Sequence, residues 1–124
     1  EDTSFPIESV FGSEVGSGWR ASQSGEQQIR IIFDKPVSVR RMELRFHEAR
    51  CERTQEITLR WSSELTGAPT EIVRQQWNFS PSGSTTEIEH YVVDLDAVSV
   101  LELAIWPDLH RQEAVATLAS WRLG

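Results

Sequence analysis

The sequence has few of the features that cross-link small domains or anchor a chain in a membrane. Its one cysteine, Cys51, cannot form a disulfide within the chain, so the cellular compartment stays open. No apolar run approaches the roughly 20 residues that a membrane-spanning helix needs, and we expect no membrane insertion. A chain of 124 residues can bury a sufficient core without such supports, and we expect one domain over residues 1–124.

Positive charge is also scarce. The chain carries 12 Lys and Arg residues against 19 Asp and Glu residues, which gives a formal net charge of -7. A protein that binds nucleic acid needs a basic face, and attraction to an anionic lipid surface needs one too. The composition therefore predicts that neither nucleic acid nor a charged lipid surface is the partner.

The residue patterns that catalysis, cofactors or metal ions require are missing as well. The three histidines, His47, His90 and His110, lie far apart and have no metal-ligand spacing. The glycines before Trp19 are not followed by a helical pattern, so they do not fit a phosphate-binding loop. We therefore expect a protein that is not an enzyme and that takes no cofactor and no metal ion.

Carboxylates occur in pairs two residues apart, a spacing that puts both members on one face of a strand. Such pairs are typical of a solvated strand face. The chain has two of them, Glu87 with Glu89 and Asp94 with Asp96. We expect these side chains to face solvent.

Period-two alternation of apolar and polar residues is the dominant feature that the sequence does contain. It places apolar side chains on one face of a strand and charged ones on the other. The alternating segments are 29–33, 42–46, 57–61, 91–95, 101–105 and 119–123, with a less regular candidate at 71–79. We expect the turn formers Asp34, Lys35 and Pro36 to end the first of these strands. Strands at this spacing, without long crossovers, predict a mostly antiparallel sandwich or barrel.

Tryptophan stands out among the aromatic residues, at five positions. Trp61 and Trp121 fall on the apolar phase of their strands and Trp19 anchors a glycine- and serine-rich segment, so we expect all three in the core. Trp106 ends a strand and opens the polar segment 107–111. An indole stacks on the apolar face of a pyranose while neighbouring charged groups hold its hydroxyls, so this arrangement is typical of a sugar site. Alternatively, Trp106 caps the core of the sandwich.

The order of the strands and the residues at their ends resemble those of a known family over nearly the whole chain. A tryptophan is followed by a strand that ends in phenylalanine, a turn with proline, a strand of apolar alternation and a closing strand that ends in glycine. The segments concerned are 18–22, 27–37, 39–46, 57–62 and 118–124. In this order they resemble the discoidin, or coagulation factor 5/8 type C, family of galactose-binding-like domains, which includes family 32-type carbohydrate-binding modules.

The resemblance implies an antiparallel jelly-roll β-sandwich of about eight strands whose loops at one end bind sugars, lipid headgroups or proteins. Sugar-binding members often use a histidine, an arginine from the loop after the third-strand region and an aromatic residue near the C-terminus. A sugar site also requires Trp106 to be partly exposed at the loop end, with Arg50 or Arg53 within hydrogen-bonding range of the same surface. The predicted ligand-binding residues are Trp106, His47, Arg50, Arg53, Asp108 and His110.

The resulting hypothesis is a non-catalytic module that binds carbohydrate through loops at one end of the sandwich. The alternative is a protein–protein interaction module or an accessory structural domain of a larger protein. The resemblance also implies a structural calcium ion, which many relatives hold with the loop before the Trp19 position and a glutamate in the last strand. Because Ala119 and Trp121 stand where that glutamate would be, we expect no calcium here.

Overall fold

The part of the chain that the structure describes folds into antiparallel β-strands. The structure, a computed structural model, describes residues 18–48, 52–80, 82–83, 85–110 and 114–124. Its strands are β1 (Trp19–Ser24), β2 (Gln27–His47), β3 (Arg53–Ser62), β4 (Thr70–Phe79), β5 (Thr86–Trp106), β6 (Val115–Leu118) and β7 (Ser120–Leu123). Every pairing is antiparallel, which confirms the predicted all-β class. No helix in these ranges is long and apolar enough to cross a membrane.

The longest strands, β2 and β5, form one continuous ribbon. Their pairing runs from Gln27 opposite Ile105 to His47 opposite Thr86, with register shifts between Ile32 and Arg41. The prediction that Asp34, Lys35 and Pro36 end a strand was wrong, because β2 continues through them. Proline is tolerated where regular pairing lapses at a bulge, since no ladder hydrogen bond is lost there.

The ribbon takes part in two sheet regions, one on each side of its irregular section. In the first sheet region, the last part of β5 pairs with both β2 and β3, and β4 extends the sheet beyond β3. In the second sheet region, Met42–Arg45 pair with β7 and with the first part of β5. Buried side chains from both regions, including Leu59, Leu103, Phe46 and Trp121, belong to one hydrophobic cluster. The two regions therefore pack face to face as a β-sandwich.

Two of the three tryptophans expected in the core are buried, and the third is only half-buried. Trp19 and Trp121 are buried, whereas Trp61 packs against the edge of the hydrophobic cluster. Trp19 starts β1, which pairs with β6 as a separate small sheet. Gly18 has a φ of 76°, and a Cβ there would lie 2.7 Å from the carbonyl oxygen of Leu118, so glycine allows β1 to approach β6.

Candidate functional site

The two ends of the β2–β5 ribbon meet at Arg53, the first residue of β3. Its Nε donates to Oε1 of Glu48, directly after β2, at 3.0 Å. Its Nη1 donates to the carbonyl oxygen of Pro107, directly after β5, at 2.9 Å, and its Nη2 donates to Oγ1 of Thr117 at 3.3 Å. The side chain is 1% exposed, so the guanidinium is a buried cation whose hydrogen bonds connect the chain segments at the loop end of the sandwich. We call this group and its hydrogen bonds the Arg53 clasp.

Trp106 lies on the surface at this end. It is the last residue of β5 and is 41% exposed, whereas the preceding residue, Ile105, is fully buried. Successive strand residues point to opposite faces, so Trp106 occupies the outer face of the first sheet region. The expectation of a partly exposed indole at the loop end is confirmed.

A buried carboxylate shapes the turn that follows Trp106. Oδ1 of Asp108 accepts hydrogen bonds from the backbone N–H of His110 at 3.0 Å and of Thr54 at 3.4 Å. The N–H of Leu109 in turn donates to the carbonyl oxygen of Thr54 at 2.8 Å. These bonds tie the turn to β3 and leave the side chains of Leu109 and His110 exposed. Asp108 therefore stabilises the turn by accepting backbone hydrogen bonds on its buried side.

His47 lies at the same end because of the Arg53 clasp. It is the exposed last residue of β2, and its Nδ1 lies 3.1 Å from Oγ1 of Thr86. The next residue, Glu48, and the residue after Trp106, Pro107, both bind Arg53. One guanidinium thus joins the side chain of the residue after His47 to the backbone carbonyl of the residue after Trp106.

The structure divides the sequence-predicted site residues into two groups. Trp106, His47 and His110 are exposed, whereas Arg53 and Asp108 are buried and bound to protein groups. Arg50 lies outside the described residues. Direct ligand contact by any of the six stays a prediction, and the contacts of Arg53 and Asp108 suit them to holding the surface in place. Among the residues that the structure describes, no group of three or more His, Cys, Asp or Glu side chains could hold a metal ion.

A buried polar network continues inward from Arg53 and was missed by the sequence prediction. Arg53 Nη1 donates to Oε1 of Gln55 at 3.1 Å, and Gln55 Nε2 donates to Oε1 of Glu87 at 3.3 Å. The prediction that Glu87 faces solvent was wrong, since this residue is 1% exposed. The signal was available, because Glu87 shares its strand phase with the apolar residues Val93 and Leu95.

Burial changes the acid–base properties of this network. The pKa of the Glu87 carboxyl is raised from 4.5 to about 8; burial is the largest cause, and the neighbouring Glu89 also raises it. Gln55 and Arg53 act in the opposite direction. Burial also raises the pKa of Tyr91, and so do the charges of Glu89 and Glu87. Burial on the inner side of β5 therefore favours the neutral form of the Glu87 carboxyl.

Glu56 is a second feature that the sequence prediction missed, and it lies beside Trp106. The two residues are direct partners in the pairing of β3 with β5, so their side chains share the outer face. Oε2 of Glu56 accepts from Arg74 Nη1 at 3.4 Å, and its Oε1 accepts from Gln76 Nε2 at 3.4 Å. Alternation predicted an outward carboxylate here, but its position next to Trp106 depends on a register between strands far apart in sequence.

Comparison with known proteins gives structural likeness without sequence likeness. No protein-family model matches the sequence, and no curated protein does. The CBM32 of AlyQ, in complex with 4,5-unsaturated mannuronic acid, matches 94% of this chain and 84% of its own at 14% identity and a TM-score of 0.66. The F5/8 type C domain of a Bacteroides fragilis protein matches 99% of this chain and 82% of its own at 16% identity and a TM-score of 0.58.

The chain has the discoidin-like fold. A mutant GH29 fucosidase of Ruminococcus gnavus, in complex with fucose, matches at 10% identity and a TM-score of 0.72. That match covers 97% of this chain but 22% of the fucosidase chain. The discoidin-like fold thus occurs both in binding modules and as one part of a larger enzyme chain, and it does not by itself fix a function.

Proposed function

We propose that this discoidin-like domain is a non-catalytic module that binds carbohydrate on the surface around Trp106. The observation that carries the proposal is the position of Trp106. This residue ends β5, is 41% exposed and precedes a turn that buried hydrogen bonds hold in place. Such an indole offers a broad apolar platform with little rotamer freedom to lose, which suits the C–H face of a pyranose. The exposed imidazole of His110, in the turn that directly follows Trp106, supplies a hydroxyl partner beside the indole.

Preorganisation supports the proposal. Arg53 holds the carbonyl of Pro107, directly after Trp106, and Asp108 holds the backbone of His110. A ligand therefore meets a surface whose backbone is already ordered, which lowers the entropic cost of binding. The AlyQ module has this fold and was solved in complex with 4,5-unsaturated mannuronic acid, which is consistent with a saccharide as the ligand class.

The test is a binding measurement with two variants that each remove one exposed apolar side chain. Trp106→Ala should abolish binding to a panel of mono- and oligosaccharides while costing little stability. Ile32→Ala is the control, because Ile32 is exposed on the outer face of the same sheet region but lies farther along β2. We expect single-sugar affinities on the order of millimolar to high micromolar, because few groups make contact. Binding that survives Trp106→Ala would contradict the proposal.

A second candidate function, protein binding, is favoured by a different surface. On the second sheet region Val92 is 86% exposed, Ile88 on the same strand is also exposed, and their partners on β2 are Arg41 and Arg45. Exposed aliphatic side chains beside arginines are typical of protein interfaces. A protein partner that binds the wild type and Trp106→Ala equally, but not Val92→Asp, would favour this function.

A further inference from the structure

The side chain directly opposite Trp106 on β3 is a carboxylate. Glu56 and Trp106 are directly opposed in the antiparallel pairing of β3 with β5, which puts their Cβ atoms about 4.5–5.5 Å apart. A sugar ring stacked on the exposed indole would therefore lie within reach of the Glu56 oxygens.

Neighbouring side chains hold that carboxylate in place without neutralising the surface. Arg74 and Gln76 each donate one hydrogen bond to it, and its side chain remains 19% exposed. Arg74 is shared, because its Nη2 also donates to Oε1 of Glu71 at 3.1 Å. The trio of Glu56, Glu71 and Arg74 thus carries one net negative charge, and Glu56 is the member directly opposite Trp106. Glu56 keeps free lone pairs that can accept from hydroxyl groups.

The clasp beneath Trp106 offers this surface no compensating positive charge. Arg53 is 1% exposed, and its guanidinium is paired with Glu48 and bonded to the carbonyl of Pro107. Arg53 in β3 and Arg74 in β4 thus both have carboxylate partners already. A second carboxylate, brought by a ligand, would meet the negative charge of Glu56 at close range.

We infer that the Trp106 surface takes neutral, hydroxyl-bearing sugars and rejects sugars that carry a carboxylate, and that Glu56 determines this specificity. The inference rests on the proposed function. Hydroxyl groups of a neutral sugar donate to Glu56, and hydrogen bonds to a charged acceptor are among the stronger ones. A uronic acid places like charge beside Glu56 instead, so rejection comes from repulsion as well as from a lost donor. This ligand class differs from the mannuronic acid of the AlyQ module.

The test compares sugars that differ only in the oxidation of the C6 group. Galactose and glucose are titrated against galacturonic and glucuronic acids, with wild type, Glu56→Gln and Glu56→Asp. Wild type should favour the neutral sugar of a pair by about 10- to 100-fold, and more strongly at low salt. Glu56→Gln should weaken neutral-sugar binding about 10-fold and remove most of the preference. Glu56→Asp keeps the charge, so it should still reject the acids.

The matched control is Glu102→Gln on the same outer face. Glu102 is also paired with arginines, Arg30 and Arg60, but it stands away from Trp106 along β5. This variant should keep the wild-type preference, and thermal melts should show that all the variants are folded.

The outcomes separate this inference from the proposed function. Trp106→Ala is measured alongside. If wild type binds the acid as tightly as the neutral sugar, or if Glu56→Gln leaves the preference unchanged, the inference is overturned. The proposed function still stands in that case when Trp106→Ala abolishes binding. If Trp106→Ala binds like wild type, or if no sugar binds wild type, both fail.

Discussion

The surface around Trp106 and the interior directly beneath it are built from different kinds of contact. On the surface, Trp106 and His47 are exposed and make few contacts that fix them. Beneath them, Arg53, Gln55 and Glu87 form a continuous buried chain of hydrogen bonds. The carbonyl of Pro107 joins the two layers, because it lies next to Trp106 and accepts from Arg53.

This difference predicts that substitutions in the two layers change different properties of the protein. Substitutions on the surface should change ligand affinity with little change in stability, because exposed side chains contribute little to folding. Substitutions in the interior should change stability or its pH dependence. A substitution at Arg53, where the layers meet, should change both.

The largest effect on stability is expected for Trp121, a buried residue of the hydrophobic cluster. Trp121→Ala should lower the free energy of unfolding by about 3–5 kcal/mol, because it removes a fully buried indole from the hydrophobic cluster. Denaturant unfolding measures the loss, and any ligand affinity of the folded fraction should be unchanged. Leu123→Ala, on the same strand but exposed, is the control and should cost under about 1 kcal/mol. A Trp121→Ala domain that unfolds like the parent would contradict the assigned core.

The next effect tests the junction of the layers. Arg53→Met keeps the aliphatic stem but leaves the carboxylate of Glu48 and the carbonyl of Pro107 without their donor. We expect a loss of about 2–3 kcal/mol in stability, together with weaker sugar binding because the turn after Trp106 loosens.

The control for Arg53 is Arg60→Met. This variant removes a partly exposed pair with Glu102 and should cost under about 1 kcal/mol. If Arg53→Met loses stability but keeps full affinity, the interior does not position the surface.

Local sequence pattern predicted segments of β2, β3, β4, β5 and β7 and the exposure of Trp106, because alternation and turn residues act over a few positions. It did not predict β1 or β6, nor that the two segments within β2 and the two within β5 each belong to one long strand. The pattern failed at Pro36, since nothing local distinguishes a proline that ends a strand from one at a bulge inside a long strand. The local pattern also could not predict the burial of Arg53, because its partners are distant in sequence. They are Glu48 after β2, Pro107 after β5 and Thr117 in β6. Contacts of that kind depend on how the ribbon folds.

Glu87 is a different kind of failure, because its environment could have been deduced. Alternation had assigned Tyr91, Val93 and Leu95 to the apolar face, and the same phase extends back to Glu87. Paired carboxylates are usually solvated, but this tendency is weaker than the strand phase. The strand phase decides the face, since a side chain cannot change face without a shift in register.

Stability should therefore depend on pH through Glu87. The pKa of Glu87 is raised from 4.5 to about 8, so the folded state holds this proton more tightly than the unfolded chain does. The contribution to stability is complete below about pH 4.5, declines as pH rises, and is lost above about pH 8. The slope from this group is at most about 1.4 kcal/mol per pH unit.

Glu87→Gln keeps the shape without the titration, so it should remove that slope and be more stable than wild type above pH 8. Denaturant unfolding across this range measures the difference between the two proteins. Glu71→Gln, an exposed position, should keep the wild-type slope. Parallel profiles for wild type and Glu87→Gln would show that Glu87 is ionised in the folded state.

The smallest expected effect concerns calcium. The closing strand β7 contains Trp121, whose side chain is buried in the core, and it has no acidic residue that could bind an ion. A ligand that binds only the native state must raise its melting temperature, so thermal melts with millimolar calcium and with a chelator should coincide. Trp106→Ala should give the same pair of coincident melts, because its surface takes no part in any such site. If calcium raises the melting temperature of both proteins by several degrees, an ion binds to the β-sandwich away from the Trp106 surface. A rise in wild type alone would place it at the surface and would tie ion binding to the sugar site.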